Sequence, residues 1–420
     1  MNLDATALLQ DAATNHKLGN YPAALMQYRV YLSRNGENLS AWECYSSLLL
    51  TMERFEDCLE ACRRALAINP NSRLATYNIA TTLVHLLNKC VVEERTSEIQ
   101  TYADQLIGVQ SGGCPDNADW VGSHTKLLIG DFEEGWRLYE SRLRQPDFNG
   151  QGHLLAAPMW DGKPYQGKTL LLHGEQGYGD TIMMLRYLER VKALGGTLLV
   201  YVQPPLLDVA RSCPGPDYIF EKEQKIPFDV QLPMMSLPRI FNTNIDTIPS
   251  HNPYISLPEH APNMEQISFR LNNARHSKKR GLVWAGRPTH KRDAERSIPP
   301  ELLAPLEAAK DASWFCLQRD APDAIPFPGA APLGDLFETF ADTAYALSKL
   351  DALVTVDTAI AHLAGAMGIP TMLLVSFLPD WRWLLARGDS PWYPSIKIYR
   401  QQNHGDWPSV IQRVAEDLRL

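Results

Sequence analysis

The chain has 420 residues, of which 45% are hydrophobic and 21% are charged, and its formal net charge is -8. A chain of this length exceeds the size of one hydrophobic core, so two or three domains are expected. The negative charge argues against nucleic acid as the main partner, although a local cluster of cations can still bind a small anion.

Cysteine usage and apolar patterning indicate the cellular compartment. The seven cysteines form no CxxC pair and their number is odd, which is typical of reduced cysteine in a cytosolic protein and predicts neither a disulfide framework nor a zinc site. The first residues, Met1 to Asp4, lack a basic region followed by an apolar run, so no signal peptide is expected. No apolar run reaches about 18 residues, so no membrane span is expected and the predicted location is the cytoplasm.

The first third of the chain contains a helical pattern that repeats. Five positions recur with an offset of 34 residues, in the pairs Tyr21/Phe55, Ala24/Cys58, Leu25/Leu59, Tyr28/Cys62 and Leu32/Leu66. The pattern returns at Ile129-Gly130-Asp131-Phe132, and Asn69-Pro70 predicts a helix end because proline cannot continue a helix. A period of about 34 residues is typical of stacked helix pairs, so residues 1–145 resemble tetratricopeptide repeats. Such a segment either stacks into a homodimer or forms a concave surface that binds an acceptor protein.

Beyond residue 145, short apolar runs alternate with helical patterns in two series. The first series, in 146–262, predicts strands at 168–173 and 197–203 and near Tyr218, Asp229 and Tyr254. The second, in 263–420, predicts strands at 280–287, 313–318, 351–356 and 371–377. Each series is typical of a Rossmann-like domain with a parallel sheet, so we expect a ligand in the cleft at the carboxyl ends of the strands.

The motif Gly177-Tyr178-Gly179-Asp180 lies between the first predicted strand and a helix. Its glycines allow close approach of the backbone to a ligand, and free amides at a helix start favour negative charge. Asp180 is either a helix cap or a carboxylate that faces the cleft and removes a proton from an acceptor hydroxyl. The dinucleotide fingerprint GxGxxG is absent, which argues against an NAD-dependent enzyme.

A second motif, Asp357-Thr358, precedes a helix of small residues that contains His362. Amides beside Thr358 open this helix, and its positive end favours a bound diphosphate by about 0.3–1 kcal/mol per exposed charge. His362 lies one turn further on the same face, as either a packed core residue or a ligand contact.

A basic segment follows the first strand of the second series, starting at Gly286 and containing Arg287, Lys291 and Arg292, with Arg296 soon after. These cations either form a solvated loop or close over a phosphate group.

Four of the ten tryptophans fall between Asp380 and Trp407. Aromatic faces stack on sugars or bases, but tryptophans at a domain junction more often pack against each other, and packing is the favoured interpretation here.

Taken together, the Gly-x-Gly-Asp motif and the Asp-Thr-x-x-x-His-Leu-Ala segment resemble those of the lipopolysaccharide heptosyltransferase-like glycosyltransferases. Repeats ahead of such a core resemble the O-linked N-acetylglucosamine transferases and the bacterial flagellin glycosyltransferases. The resemblance implies that Asp180 is the general base and that Asp357, Thr358 and His362 bind the donor diphosphate. It places Gly177, Gly179, Gly286 and one of Arg287, Lys291 and Arg292 beside the donor.

The predicted fold class is α + α/β, with tetratricopeptide-type repeats in 1–145 and a GT-B pair of Rossmann-like domains, the first on the acceptor side and the second on the donor side. The predicted function is an inverting glycosyltransferase that needs no metal and no cofactor, since the nucleotide-sugar is a substrate. A protein acceptor such as flagellin is preferred. The alternatives are a nucleotide-sugar epimerase and a protein-interaction scaffold with a degenerate α/β part.

Overall fold

The computed structural model describes residues 5–93, 95–110, 115–144, 157–222, 226–249, 253–289, 293–319 and 324–419. The chain divides into two compact units, Met1–Ile129 and Gly130–Leu420. The three domains predicted from sequence, 1–145, 146–262 and 263–420, stay a prediction. None of the helices in the described ranges is both long enough and apolar enough to cross a bilayer.

The first unit consists of helices that pack in pairs, α1 with α2, α3 with α4 and α5 with α6. They are α1 (Ala5–Lys17), α2 (Tyr21–Arg34), α3 (Leu39–Thr51), α4 (Phe55–Ile68), α5 (Arg73–Val92), α6 (Thr96–Gln110) and α7 (Pro115–Leu128). The predicted 34-residue period is visible directly, since α2 begins at Tyr21 and α4 at Phe55. The predicted stop is also confirmed, because α4 ends one residue before Asn69-Pro70.

Matched positions of the repeat occupy matched places in the core. Ala24 and Tyr28 of α2 are fully buried, and so are Cys58 and Cys62 of α4, which stand 34 residues later. Burial of these small and apolar residues removes hydrocarbon from water and lets neighbouring helices approach closely. The period read from the sequence is therefore the period of the buried helix face.

The second unit begins with α8 (Phe132–Tyr139), which carries the third copy of the repeat pattern. Its buried residues are Phe132, Gly135, Trp136 and Tyr139, which lie at helical spacing on one face. Asp131 caps the helix by accepting a hydrogen bond from the Glu134 N–H at 3.4 Å. A 3₁₀ turn, Glu140–Arg144, follows directly.

A four-stranded parallel sheet comes next, with its strands in the order β3-β2-β1-β4. Its strands are β1 (Thr169–His173), β2 (Thr197–Tyr201), β3 (Tyr218–Phe220) and β4 (Val230–Pro233). The helices of this part are α9 (Tyr178–Met184), α10 (Leu188–Lys192), α11 (Leu207–Arg211) and α12 (Leu237–Ile240). The four strands predicted up to Asp229 are confirmed.

Two details of this part differ from the prediction. The strand predicted near Tyr254 is wrong, because the N–H groups of Tyr254 and Ile255 donate instead to the carbonyl of Ala366, at 3.1 and 3.3 Å. The single helix predicted after Asp180 is divided into α9 and α10 by a 3₁₀ turn, Leu185–Tyr187. The apolar spacing of this segment buries one face whether the helix is continuous or interrupted by a 3₁₀ turn, so periodicity cannot distinguish the two.

The second sheet has six parallel strands in the order β10-β9-β8-β5-β6-β7. The strands are β5 (Lys278–Val283), β6 (Ala312–Cys316), β7 (Ala330–Pro332), β8 (Ala352–Val356), β9 (Thr371–Val375) and β10 (Ile396–Arg400). The helices are α13 (Met264–Asn272), α14 (Asp293–Arg296), α15 (Phe340–Leu347), α16 (Ala359–Ala366) and α17 (Trp407–Asp417). The predicted fold class, helical repeats followed by two parallel α/β domains, is confirmed, with β7 and β10 as additional strands.

The two sheets are joined within the second unit by α9, which packs against α16. Arg186, in the turn after α9, is buried and donates a hydrogen bond to the carbonyl of Trp392 at 2.8 Å. Its guanidinium also lies 4.9 Å from the ring centre of Tyr254 and 4.8 Å from that of Tyr393. Because α9 follows β1 and α16 follows β8, these contacts bring the carboxyl ends of the two sheets together.

Candidate active site

The loop after β1 holds Asp180 by its own backbone. Gly177 caps α9, and the Asp180 Oδ2 atom accepts a hydrogen bond from the Gly177 N–H at 2.8 Å. Asp180 is therefore the third residue of α9, not its N-cap, and it bonds back to the capping residue. This arrangement fixes the side chain and leaves Oδ1 directed toward the second sheet.

Gly179 sets the distance between the two halves of the site. A Cβ atom added at Gly179 would lie 2.7 Å from His362 Cδ2, closer than real Cβ contacts allow. Any side chain here would force α9 away from α16 or displace the His362 ring. The two residues, predicted separately as site residues, are thus in contact.

His362 is buried between aromatic rings. Its Nδ1 atom lies 2.9 Å from the Tyr393 hydroxyl, and its ring stacks on Trp383 at a centroid distance of 5.3 Å. Burial, with a further contribution from Arg382, lowers the pKa of His362 to about 3, so the ring is neutral at physiological pH. These contacts make it a packing residue of the junction, while its predicted contact with a donor stays a prediction.

The segment after β8 presents two unusual polar groups. Thr358 is the N-cap of α16, but its side chain makes no capping bond, and Oγ1 is buried with no hydrogen-bond partner among the described residues. Burial and the nearby Asp380 raise the pKa of Asp357 to about 6, although Arg296, Trp383 and Arg382 oppose that rise. A buried carboxyl group, with Asp380 nearby, therefore lies next to the amides that open α16.

The loop after β5 reaches the same place. Gly286 is buried, its N–H donates to Ser297 Oγ at 3.0 Å, and an added Cβ would overlap the side chains of Arg296 and Asp293. Arg296 in turn donates to the Asp357 carbonyl at 3.1 Å. Since β5 and β8 are neighbouring strands, this hydrogen bond joins their two loops at one edge of the sheet.

Of the predicted cations, Arg287 is exposed at the start of this loop. Lys291 and Arg292 lie outside the described residues. The structure thus brings together Gly177, Gly179, Asp180, Gly286, Asp357, Thr358 and His362, and places Arg287 at their margin.

Sequence reasoning missed Arg382, which connects the two halves. It lies on the 3₁₀ turn Trp381–Trp383 after β9, and its guanidinium is bonded to the carboxylates of Asp180 and, at 2.6 Å, Asp380. The same group lies 4.1 Å from the ring centre of Trp381. The sequence interpretation of this segment rests only on its tryptophans. The signal that could have found Arg382 is the opposite charges of Asp380 and Arg382, which alternate with Trp381 and Trp383.

The packing interpretation of those tryptophans agrees with their burial. Trp381, Trp383, Trp392 and Trp407 are each 5% exposed or less. Helix α8 also packs against Trp381 and Trp392. The ring of Trp136 lies edge-to-face on that of Trp381, with a centroid distance of 5.1 Å.

Helix α8 also supports the loop that precedes Asp180. The Tyr139 hydroxyl donates to Gln176 Oε1 at 2.9 Å, and the Gln203 side chain donates to the Gln176 carbonyl at 3.1 Å. Gln176 has a φ of 70°, a left-handed conformation that costs energy in a residue other than glycine. Contacts from two directions thus hold a strained residue four positions before Asp180.

A buried ion pair supports the same loop one residue earlier. Arg142 donates to both carboxylate oxygens of Glu175, at 2.7 and 3.1 Å, and to Ser236 Oγ at 2.8 Å. Glu175 additionally accepts from the Met235 N–H at 3.0 Å. Burial raises the pKa of Glu175, and the charge and hydrogen bonds of Arg142 oppose that rise.

Among the described residues, no group of three or more histidine, cysteine, aspartate or glutamate side chains is arranged to hold a metal ion. The cations that face the acidic groups of the site are arginines.

Comparison with known proteins gives the following relatives. No protein-family model matches the chain. Protein FlbA of Caulobacter vibrioides is 23% identical over 440 residues, which cover 97% of this chain and 72% of FlbA.

Several solved structures are similar to this chain. A family 9 glycosyl transferase from Veillonella parvula has a TM-score of 0.44 at 12% identity, over 62% of this chain and 99% of that chain. The ADP-heptose LPS heptosyltransferase II of E. coli has a TM-score of 0.42 at 13% identity, over 60% and 97%. A mutant O-GlcNAc transferase from Thermobaculum terrenum has a TM-score of 0.26 at 13% identity, over 100% and 94%.

Replacement of Arg142 by methionine tests the buried pair. Arg142→Met leaves the Glu175 carboxylate buried without its partner, so we expect the free energy of unfolding to fall by about 3–5 kcal/mol. The matched control is Arg137→Met, which breaks an exposed pair with Glu134 and should cost about 1 kcal/mol or less. Urea unfolding measures both. Equal losses in the two variants would contradict a role for the pair in holding the loop.

Replacement of Asp357 by asparagine tests its raised pKa. In the unfolded chain an aspartate has a pKa of about 4. In the folded protein Asp357 keeps its proton up to about pH 6, so the folded state loses stability relative to the unfolded state as the pH rises from the first value through the second. Asp357→Asn removes that loss, so its melting temperature relative to wild type should rise between pH 5 and pH 7.5.

Asp389→Asn is the control for this titration, because Arg387 lowers the pKa of Asp389 and no trend is expected in the same pH range. Differential scanning fluorimetry measures all three proteins. A difference between Asp357→Asn and wild type that stays constant or shrinks as the pH rises would contradict the raised pKa.

Proposed function

We propose that this protein is an inverting, metal-independent glycosyltransferase that moves a sugar from a nucleotide-sugar donor to an acceptor hydroxyl. The observation that carries the proposal is the meeting of Asp180 with the Asp357–His362 segment. The first follows β1 and the second follows β8. The contact of Gly179 with His362 joins them, and Arg382, which follows β9, bonds to Asp180. A carboxylate that follows one sheet thus lies near a helix that follows the other.

The donor diphosphate is proposed to bind at the start of α16. Free amides there point at a ligand, and the helix dipole favours negative charge. The unpartnered hydroxyl of Thr358 is a donor at the same position. Arg296, bonded to the Asp357 carbonyl, and the exposed Arg287 supply cations from the neighbouring loop.

In the proposed reaction Asp180 is the general base. It takes the proton of the acceptor hydroxyl while the acceptor oxygen bonds to the anomeric carbon. The bond from that carbon to the phosphate oxygen breaks, and its electron pair leaves with the nucleotide. Attack from the face opposite the leaving group inverts the configuration. Arginines and helix amides stabilise the charge that develops on the leaving phosphate, the task a metal ion performs in other transferases.

The acceptor is proposed to be a protein, with flagellin as the first to test, in the cytoplasm. The support is the first unit, whose helices pack in pairs, an arrangement from which repeat proteins build a binding surface. A homodimer formed through these helices is the alternative use of the same surface. A scaffold without activity predicts no nucleotide binding, and an epimerase predicts conversion of the donor without an acceptor.

Replacement of Thr358 by valine separates donor binding from folding. Thr358 Oγ1 is buried without a partner among the described residues, which costs the folded protein about 1 kcal/mol. Because Thr358→Val removes this hydroxyl, it should leave the melting temperature of the ligand-free protein unchanged or raise it. We expect it to lose most of the thermal shift that one of UDP, GDP, ADP or CMP produces in wild type.

Thr371→Val is the control for this variant. The Thr371 hydroxyl donates to the Ile369 carbonyl at 2.9 Å, so this variant should lose stability and keep its thermal shift. No shift with any nucleotide in wild type would favour the scaffold, and an undiminished shift in Thr358→Val would contradict the donor site.

Replacement of Asp180 by asparagine tests the chemistry. The asparagine side chain keeps an oxygen for the Gly177 N–H but is not a base, so Asp180→Asn should lower kcat by roughly 100-fold to 10,000-fold. Release of nucleotide from UDP-, GDP-, ADP- and CMP-sugars, with flagellin as acceptor and intact-mass detection of the product, measures it. Asp208→Asn on α11 is the control and should retain activity. Full activity of Asp180→Asn would exclude it as the base.

A further inference from the structure

We infer that Arg382 is shared between the base and the donor. It forms an ion pair with Asp180 when the site is empty, and it binds the donor diphosphate when the site is filled. The inference rests on the proposed function and goes beyond it by coupling the two half-sites. Its consequence is that donor arrival releases the base, so the donor binds before the acceptor reacts.

The contacts of Arg382 place one cation between two acidic groups from different sheets. Its Nη2 atom is bonded to Asp180 Oδ1 and its Nη1 atom to Asp380 Oδ1, the latter at 2.6 Å. Both oxygens of Asp180 are therefore engaged, because Oδ2 accepts from the Gly177 N–H. In this state each oxygen of Asp180 already accepts a hydrogen bond, and Arg382 competes with an acceptor hydroxyl for Oδ1.

The same guanidinium acts on the proposed donor segment. It helps to lower the pKa of His362 and opposes the rise in the pKa of Asp357, so its charge is felt at both ends of that segment. Its Nε donor is buried and makes no hydrogen bond to any described residue. A planar guanidinium with a spare donor is suited to bidentate binding of phosphate oxygens.

The electrostatics favour an exchange of partners. The side chains of Arg382 and Asp180 are 10% and 18% exposed, so their attraction is only partly screened by water. A diphosphate carries more negative charge than one carboxylate and competes for the same donors. Asp380, which also accepts from the Arg382 backbone N–H at 3.0 Å, keeps the arginine at the site after Asp180 is released.

A double-mutant cycle on nucleotide binding tests this inference. If Asp180 and the diphosphate compete for Arg382, then Asp180→Asn frees the arginine and the Kd for the nucleoside diphosphate falls by about threefold to tenfold. Arg382→Gln raises that Kd. In the double variant, Asp180→Asn gives no further tightening, since the shared group is gone.

The cycle is measured by isothermal titration calorimetry on the full chain with UDP, GDP and ADP. Arg387→Gln, which lies in the same loop region and pairs with Asp389, is the control and should bind as wild type does. Arg382→Lys is included because lysine keeps the positive charge but lacks the planar guanidinium that binds two phosphate oxygens at once. It should bind more weakly than wild type. Arg382→Met, which removes the charge as glutamine does, replaces Arg382→Gln in the cycle if that variant does not fold.

The outcomes distinguish the inference from the function on which it rests. If wild type binds none of the three nucleoside diphosphates, the proposed diphosphate site is refuted, and the sharing of Arg382 with it is refuted too. If wild type binds one and Asp180→Asn does not bind it more tightly, only the sharing is refuted. Tightening that persists in the double variant would also refute the sharing, because it would reflect repulsion between Asp180 and the phosphate and not release of Arg382.

Discussion

The approach of α9 to α16 is the constraint on which the rest of the site depends. It is possible because Gly179 has no side chain where the ring of His362 lies. The ring is neutral and buried, so it fills this junction without adding charge. The proposed base and the proposed diphosphate site stand within a few residues of this contact: Asp180 follows Gly179, and Asp357 and Thr358 precede α16. The junction is therefore a packing contact that also sets the distance between the proposed base and the proposed donor site.

Charged groups of both signs surround this neutral contact. Asp180, Asp357 and Asp380 lie near Arg382 and Arg296, and burial, with a further contribution from Asp380, raises the pKa of Asp357. An anionic donor enters such a place more easily if a carboxylate is neutralised, a cation changes partner or further cations arrive. Exchange of Arg382 meets the second condition. The loop that begins at Gly286 and carries Arg287 is placed to meet the third.

Sequence patterns could predict what local physics determines. Apolar runs predicted β1, β5, β8 and β9, and the glycine and aspartate motifs predicted the loops that follow them. The role of Arg382 could not be predicted in this way, because its partner Asp180 stands 202 residues earlier and the contact exists only after two sheets have met. Tyr254 was misassigned for a similar reason: its N–H is satisfied by the end of α16, not by a neighbouring strand.

Helix α8 illustrates how a repeat pattern can conceal a different role. Phe132 to Tyr139 follow the same spacing as the earlier helices, because the spacing records only which face is buried. Here the buried face meets Trp381, and Tyr139 holds the strained Gln176 in place. Arg142, just beyond the helix, secures Glu175 in the same loop. Since the position of Asp180 depends on this loop, the residues that stabilise the second unit here also keep Asp180, the proposed base, in position.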